Sequence, residues 1–162
     1  MQTFKQYLEE VFNKTYPYTL KVTDERWSDE ADNVVPVRYD AKFKTKDGGR
    51  VDVMIVDHGT VFENPKLGWQ IDFTKNDELD ASREGDEFAI ISTVLRIIQE
   101  FVSKEKPKMI MFDAGKSGRG LRNKDTRSNL YKTLVKKFSS KIGYTYKVQD
   151  ESDMTTFILT KR

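Results

Sequence analysis

Residues 85 to 113, GDEFAIISTVLRIIQEFVSKEKPKMIMFD, constrain the fold of this chain more than any other stretch. Phe88, Ile91, Leu95, Ile98 and Val102 recur at helical spacing, and Ala89, Ile90, Val94, Ile97 and Phe101 fill a second stripe beside them. A helix this apolar has to be covered on more than one side. Lys106-Pro107 ends it, because proline cannot continue the hydrogen-bond ladder and pushes the preceding residue toward extended geometry. Met109 to Phe112 is then a short continuous apolar run, the pattern of a strand buried on both faces and central in its sheet. The expectation is a sheet with this helix packed on it.

Composition narrows the chemistry. At 162 residues the chain is long enough for a single domain with a core of its own. It has no cysteine, which excludes disulfides, thiolate nucleophiles and cysteine-ligated metals, and one histidine, which excludes multi-histidine metal centres. No run approaches the ~18 apolar residues of a membrane span, and MQTFKQYLEE lacks the order of a secretion signal. The expectation is a soluble, cytoplasmic protein. Its formal net charge of +2 is spread over charges of both signs and dictates no partner.

Thr3 and Gln6 mark a capping box for a first helix carrying Phe4, Tyr7, Leu8, Val11 and Phe12. Tyr16 to Val22 reads as a strand, and DERWSDEADN after it as an acidic, solvated connection. Val35 to Thr45 reads as a second strand, Asp47-Gly48-Gly49 as a hairpin turn, Val51 to Ile55 as the returning strand. After a Gly59 to Gly68 loop, Trp69, Ile71 and Phe73 alternate with Gln70, Asp72 and Thr74 in a fourth strand. Residues 75 to 85 form a polar loop before the apolar helix. Beyond the buried strand, the glycine-rich basic loop GKSGRGLRNKDTR leads to a helix with Leu130, Leu134, Phe138 and Ile142 on one face, capped by Gly143. Tyr144 to Val148 and Thr155 to Thr160 close the sheet as an antiparallel pair. The fold class is α/β in the mixed α+β sense: one mostly antiparallel sheet flanked by helices, with no linker or repeat dividing the chain.

Helix, strand, three-strand meander, helix, strand, helix and two strands is an order that resembles the GNAT superfamily of N-acyltransferases. The resemblance runs from about Val35 to the C-terminus. It implies that the fourth and fifth strands splay, that acyl-CoA lies between them, and that its pyrophosphate rests on the amides opening the intervening helix. The family's loop there reads Q/R-x-x-G-x-G/A. Here it corresponds to Arg83, Gly85, Asp86 and Phe88, with glycine two rather than three residues after arginine. The segment DEFAIISTVLRIIQEF with KPKMIMFDA also resembles small proteins of tailed bacteriophages.

Free amides and the helix dipole favour phosphate at a helix start, whereas Asp86 and Glu87 supply the carboxylates with which a helix caps itself. The resemblance implies acetyl-CoA as acyl donor, an amine as acceptor, and Tyr131 as the acid that protonates the leaving thiolate. A general base is expected near the end of the fourth strand, where Asp72 is the carboxylate within the strand. His58, in Asp57-His58-Gly59, reads as a polar residue at a strand end. Gly115-Lys116-Ser117 fails the Walker pattern because Ile110 stands where a glycine is required. Lys116, Arg119, Arg122, Lys124 and Arg127 place five cations in twelve residues, suited to CoA phosphates or a nucleic-acid backbone. Trp27 and Trp69, with Tyr16 and Tyr18, suit the stacking of bases or, as the preferred reading, aromatic packing of the sheet. The alternative to catalysis is a GNAT-shaped binding protein that engages a host protein or nucleic acid through the basic loop or the acidic Asp24 to Asp32 segment.

Overall fold

The computed structural model describes residues 3, 6, 14–46, 48–75, 84–115, 132, 135–150 and 154–162, with backbone only at 74, 75, 84–88, 113–115 and 154. Its strands are β1 (Thr19–Ser28), β2 (Asn33–Lys44), β3 (Arg50–Asp57), β4 (Trp69–Lys75), β5 (Met109–Gly115), β6 (Tyr144–Asp150) and β7 (Met154–Lys161). The helices are α1 (His58–Val61), α2 (Glu84–Glu105) and α3 (residues 135–142). All seven strands join one sheet in the order β1-β2-β3-β4-β5-β7-β6. Only β4 and β5 run parallel; every other neighbouring pair is antiparallel.

Alternation along the strands builds the core. Val37, Tyr39, Ala41 and Phe43 of β2, Val51, Val53 and Ile55 of β3, Trp69 and Ile71 of β4, Ile110 and Phe112 of β5 and Phe157 and Leu159 of β7 are buried on one face. Helix α2 lies on that face: Phe101 meets Trp69 edge-on at 4.8 Å between ring centroids and Tyr39 at 5.4 Å. Its other stripe is buried too, since Ile90, Ile91, Val94, Leu95, Ile97, Ile98 and Val102 all belong to the same core. Segment 14–18 crosses this helix. The Tyr16 amide donates to Thr93 Oγ1 at 2.8 Å, and the Thr93 hydroxyl donates to the Ala89 carbonyl at 2.6 Å. Each fully buried aliphatic or aromatic side chain contributes roughly 1.5–3 kcal/mol relative to exposure, so this helix and the sheet under it stabilise each other.

Several local expectations hold. The Thr3 amide donates to Gln6 Oε1 at 2.9 Å and the Gln6 amide to Thr3 Oγ1 at 3.2 Å, a reciprocal capping box. Gly48 and Gly143 take φ of +86° and +76°, as a tight turn and a helix end require. Strands β6 and β7 form the expected antiparallel pair.

Others are corrected. The first strand runs from Thr19 to Ser28 rather than from Tyr16 to Val22, so the acidic connection is largely strand, and the meander has four members rather than three. Strand β1 lies at the sheet edge and carries exposed polar side chains on both faces. Its order comes from backbone pairing with β2, which leaves no alternating pattern to read. An irregularity at Val22, Asp24 and Glu25 also breaks its parity. The loop after β3 begins with the helical turn α1, capped by Asp57, whose side chain accepts from the Thr60 amide at 3.1 Å. Lys106 is left-handed at φ +49° instead of extended, and its amide still donates to the Val102 carbonyl at 2.9 Å. The helix therefore ends on this lysine before Pro107 breaks it. Strand β5 is central as expected, but Met109 and Met111 are only half-buried, so one of its faces is partly open. Trp69 packs the sheet, whereas Trp27 is 60% exposed.

Candidate functional site

The parallel pair is short. Trp69, Gln70 and Ile71 of β4 pair with Ile110, Met111 and Phe112 of β5, and the pairing stops there. Both strands continue: Asp72 to Lys75 remain paired with β3, and Asp113 to Gly115 remain paired with β7. The facing edges of residues 72–75 and 113–115 therefore have no strand partner in each other. Backbone amides and carbonyls are obligatory hydrogen-bonding groups, so such an edge is a place for an extended polar ligand. Because β4 and β5 are parallel, a crossover must return the chain between them, and α2 supplies it. Helix α2 consequently starts on the side of the sheet where both strands end and part, the switch-point position at which open sheets bind ligands.

Asp72 is the first residue of β4 beyond the last bridge to β5. It is exposed and lies on the sheet face opposite the core, across from Met54 of β3. Asp40 and Asp52 also lie on that face, and sequence reasoning did not single them out. Arg38 grips Asp40 through two hydrogen bonds of 3.0 and 3.1 Å, and Thr23 also donates to Asp40. Arg50 lies 3.2 Å from Asp52. Each of these carboxylates has an arginine two residues earlier in its own strand, and that spacing is their signal in the sequence. Asp72 has no ion pair among the described residues. Beside the parting, Asp72 thus lacks the arginine partner that Asp40 and Asp52 each have.

His58 belongs to another end of the sheet. Asp57 pairs with Trp69 at the start of β4, and the His58 amide donates to the Gly68 carbonyl at 3.2 Å, while the parting lies three residues further along β4 at Asp72. The imidazole packs edge-on against Phe62 at 5.1 Å. Asp57 does not orient it, since both carboxylate oxygens are engaged by Thr60, at 3.1 and 2.7 Å.

Gly85, Asp86 and Phe88 fall in the opening turns of α2; their side chains lie outside the described residues. Arg83, Tyr131 and the basic set Lys116, Arg119, Arg122, Lys124 and Arg127 also lie outside them. Lys132, next to Tyr131 in sequence, is described, and its ammonium contacts Asp150 of β6 at 2.5 Å. Among the described residues no group of three or more His, Asp or Glu side chains could hold a metal ion, and no helix is long and apolar enough to cross a membrane. No protein-family model, curated protein or solved structure matches the chain.

Proposed function

We propose that the protein is an N-acyltransferase of GNAT-like architecture that moves an acetyl group from acetyl-CoA to an amine. The observation that carries the reading is the parting of β4 and β5 after Ile71 and Phe112, with α2 beginning on the same side. The strand order, with one parallel pair in an otherwise antiparallel sheet, supports it. The strand edges that no longer pair with each other suit the amide groups along the pantetheine arm, and the amides opening α2 near Arg83 and Gly85 suit the pyrophosphate. Asp72, directly or through a water, takes a proton from the incoming ammonium. The free amine then attacks the thioester carbonyl, the carbon–sulfur bond breaks as Tyr131 protonates the departing thiolate, and the proton that the nitrogen sheds as the amide forms returns through water to the Tyr131 phenolate.

The test is calorimetric titration of acetyl-CoA with a parallel thermal-shift series. Saturable binding, weakened by Arg83→Ala and unaffected or strengthened by Asp86→Ser with Glu87→Gly, is the expected result. At ~100 times its dissociation constant the ligand adds about 2.7 kcal/mol to stability. The second reading is a non-catalytic binding protein of the same shape, resembling phage-encoded proteins, with Lys116 to Arg127 engaging a host protein or nucleic acid. Asp86 and Glu87 at the helix start favour it, because they repel a pyrophosphate. Absence of any shift at millimolar acetyl-CoA decides for this second reading.

A further inference from the structure

The β1–β2 hairpin reaches beyond the rest of the sheet. Strand β2 pairs with β3 only from Arg38 onward, so among the described residues Asn33 to Pro36 have β1 as their one strand partner. Near the tip Trp27 stands directly across from Val34, and the two are 60% and 46% exposed. Local hydrogen bonds shape the tip. Ala31 donates its amide to Ser28 Oγ at 3.2 Å, Val34 donates to Asn33 Oδ1 at 2.8 Å, and Asp32 turns the chain with φ +51°. The indole N–H of Trp27 donates to Asp29 Oδ1 at 3.0 Å, which fixes the ring while most of it stays in water.

Charge gives this patch a direction. Asp24, Glu25, Asp29, Glu30 and Asp32 are all exposed, and Arg26 is the one cation among them, in a chain whose total charge is +2. A solvated hairpin needs acidic side chains, but it has no need of an exposed tryptophan facing an exposed valine. We propose that this tip is a docking surface for a basic segment of a partner protein. An arginine or lysine cation stacks on the Trp27 indole and pairs with the neighbouring carboxylates, and an apolar neighbour of that cation covers Val34. A nucleic-acid backbone is repelled by the same carboxylates. The surface is independent of the β4–β5 parting. Lys75, where β4 ends, aligns through Val51 with Phe43, at the opposite end of β2 from Asn33.

The experiment follows the two indole N–H resonances of the isotope-labelled protein during titration with an arginine-rich octapeptide, with an octaglutamate peptide as control. The expected result is a saturable shift of the Trp27 signal with the basic peptide alone, while the buried Trp69 signal stays in place. Trp27→Ala, at an exposed position, leaves the melting temperature unchanged and weakens binding, followed by backbone amides, about tenfold. Val34→Ser weakens it less, and Arg26→Gln strengthens it. Equal affinity of the wild type and Trp27→Ala overturns the proposal, as does absence of binding. Self-association in sedimentation that disappears in Trp27→Ala also overturns it, by assigning the patch to a second copy of the chain.

Discussion

Gly68 lies so close to Met109 that a Cβ built on the glycine falls 2.4 Å from the Met109 carbonyl oxygen and 2.9 Å from its carbonyl carbon. The contact joins the residue before β4 to the first residue of β5, at the root of the only parallel pair. Glycine is needed here for close approach of two backbones, not for an unusual φ. Gly68→Ala must push β5 away or shift Trp69 out of register with Ile110, and backbone gives way less readily than a side-chain tip. The expected cost is about 1–3 kcal/mol, read from urea denaturation. Wild-type stability in this variant would mean that the two strands are not held as closely as described.

Two tyrosines anchored to α2 are expected to contribute to alkaline sensitivity. Burial, and then hydrogen bonding to Glu100 and its charge, pushes Tyr18 up to about 12. Burial and then Glu105, which accepts the Tyr39 hydroxyl, push Tyr39 up as well. In the unfolded chain a tyrosine ionises near ~10. The native state therefore holds these protons where the unfolded state has lost them. Their contribution is complete below pH ~10 and declines as pH rises toward the folded values. Denaturation midpoints measured from pH 8 to 12 are expected to fall above pH ~10, and Tyr18→Phe with Tyr39→Phe is expected to flatten that fall. An unchanged slope in the double variant would place the alkaline loss elsewhere.

What was legible in the sequence followed from burial. Ile97, Phe101, Ile55 and Ile71 announce themselves through periodicity because each faces one side of an element with an apolar interior. Thr3 with Gln6, and Gly143, announce themselves because caps demand particular side chains or a particular φ. The second half of β1 did not, since Arg26 to Ser28 are ordered by their backbone pairing to β2 and tell nothing through side-chain pattern. Asp72 was legible as a carboxylate in a strand. That the pairing of β4 with β5 ends one residue before it was not, because strand parting is a property of two segments about forty residues apart in the chain. The Arg38–Asp40 and Arg50–Asp52 pairs need the same knowledge of faces before they separate Asp72 from its neighbours.

Thr93 is a polar residue fully buried in the middle of an apolar helix, and it earns that position by holding Tyr16. Thr93→Val keeps the shape and removes the acceptor, leaving the Tyr16 amide without this bond. The expected loss is about 1–3 kcal/mol, together with faster proteolysis within residues 14–18, detected by mass spectrometry of limited digests. Thr93→Ser, which retains the hydroxyl, is expected to resist digestion as the wild type does.

Asp72 separates binding from chemistry. Its carboxylate stands on the sheet face opposite the core, one residue past the last β4–β5 bridge, with no ion pair among the described residues. Asp72→Asn keeps the size and the strand pairing with Met54 but cannot take a proton. If the acyltransferase reading is right, acetyl-CoA affinity stays within about twofold while the rate of amine acetylation falls by ~10²–10⁴. Stability is expected to change little, since exposed substitutions usually stay within ~0.5 kcal/mol. A variant that acetylates at the wild-type rate would remove Asp72 from the mechanism and direct attention to the amine's own ionisation. A variant that no longer binds acetyl-CoA would instead give Asp72 a part in shaping the parting of the two strands.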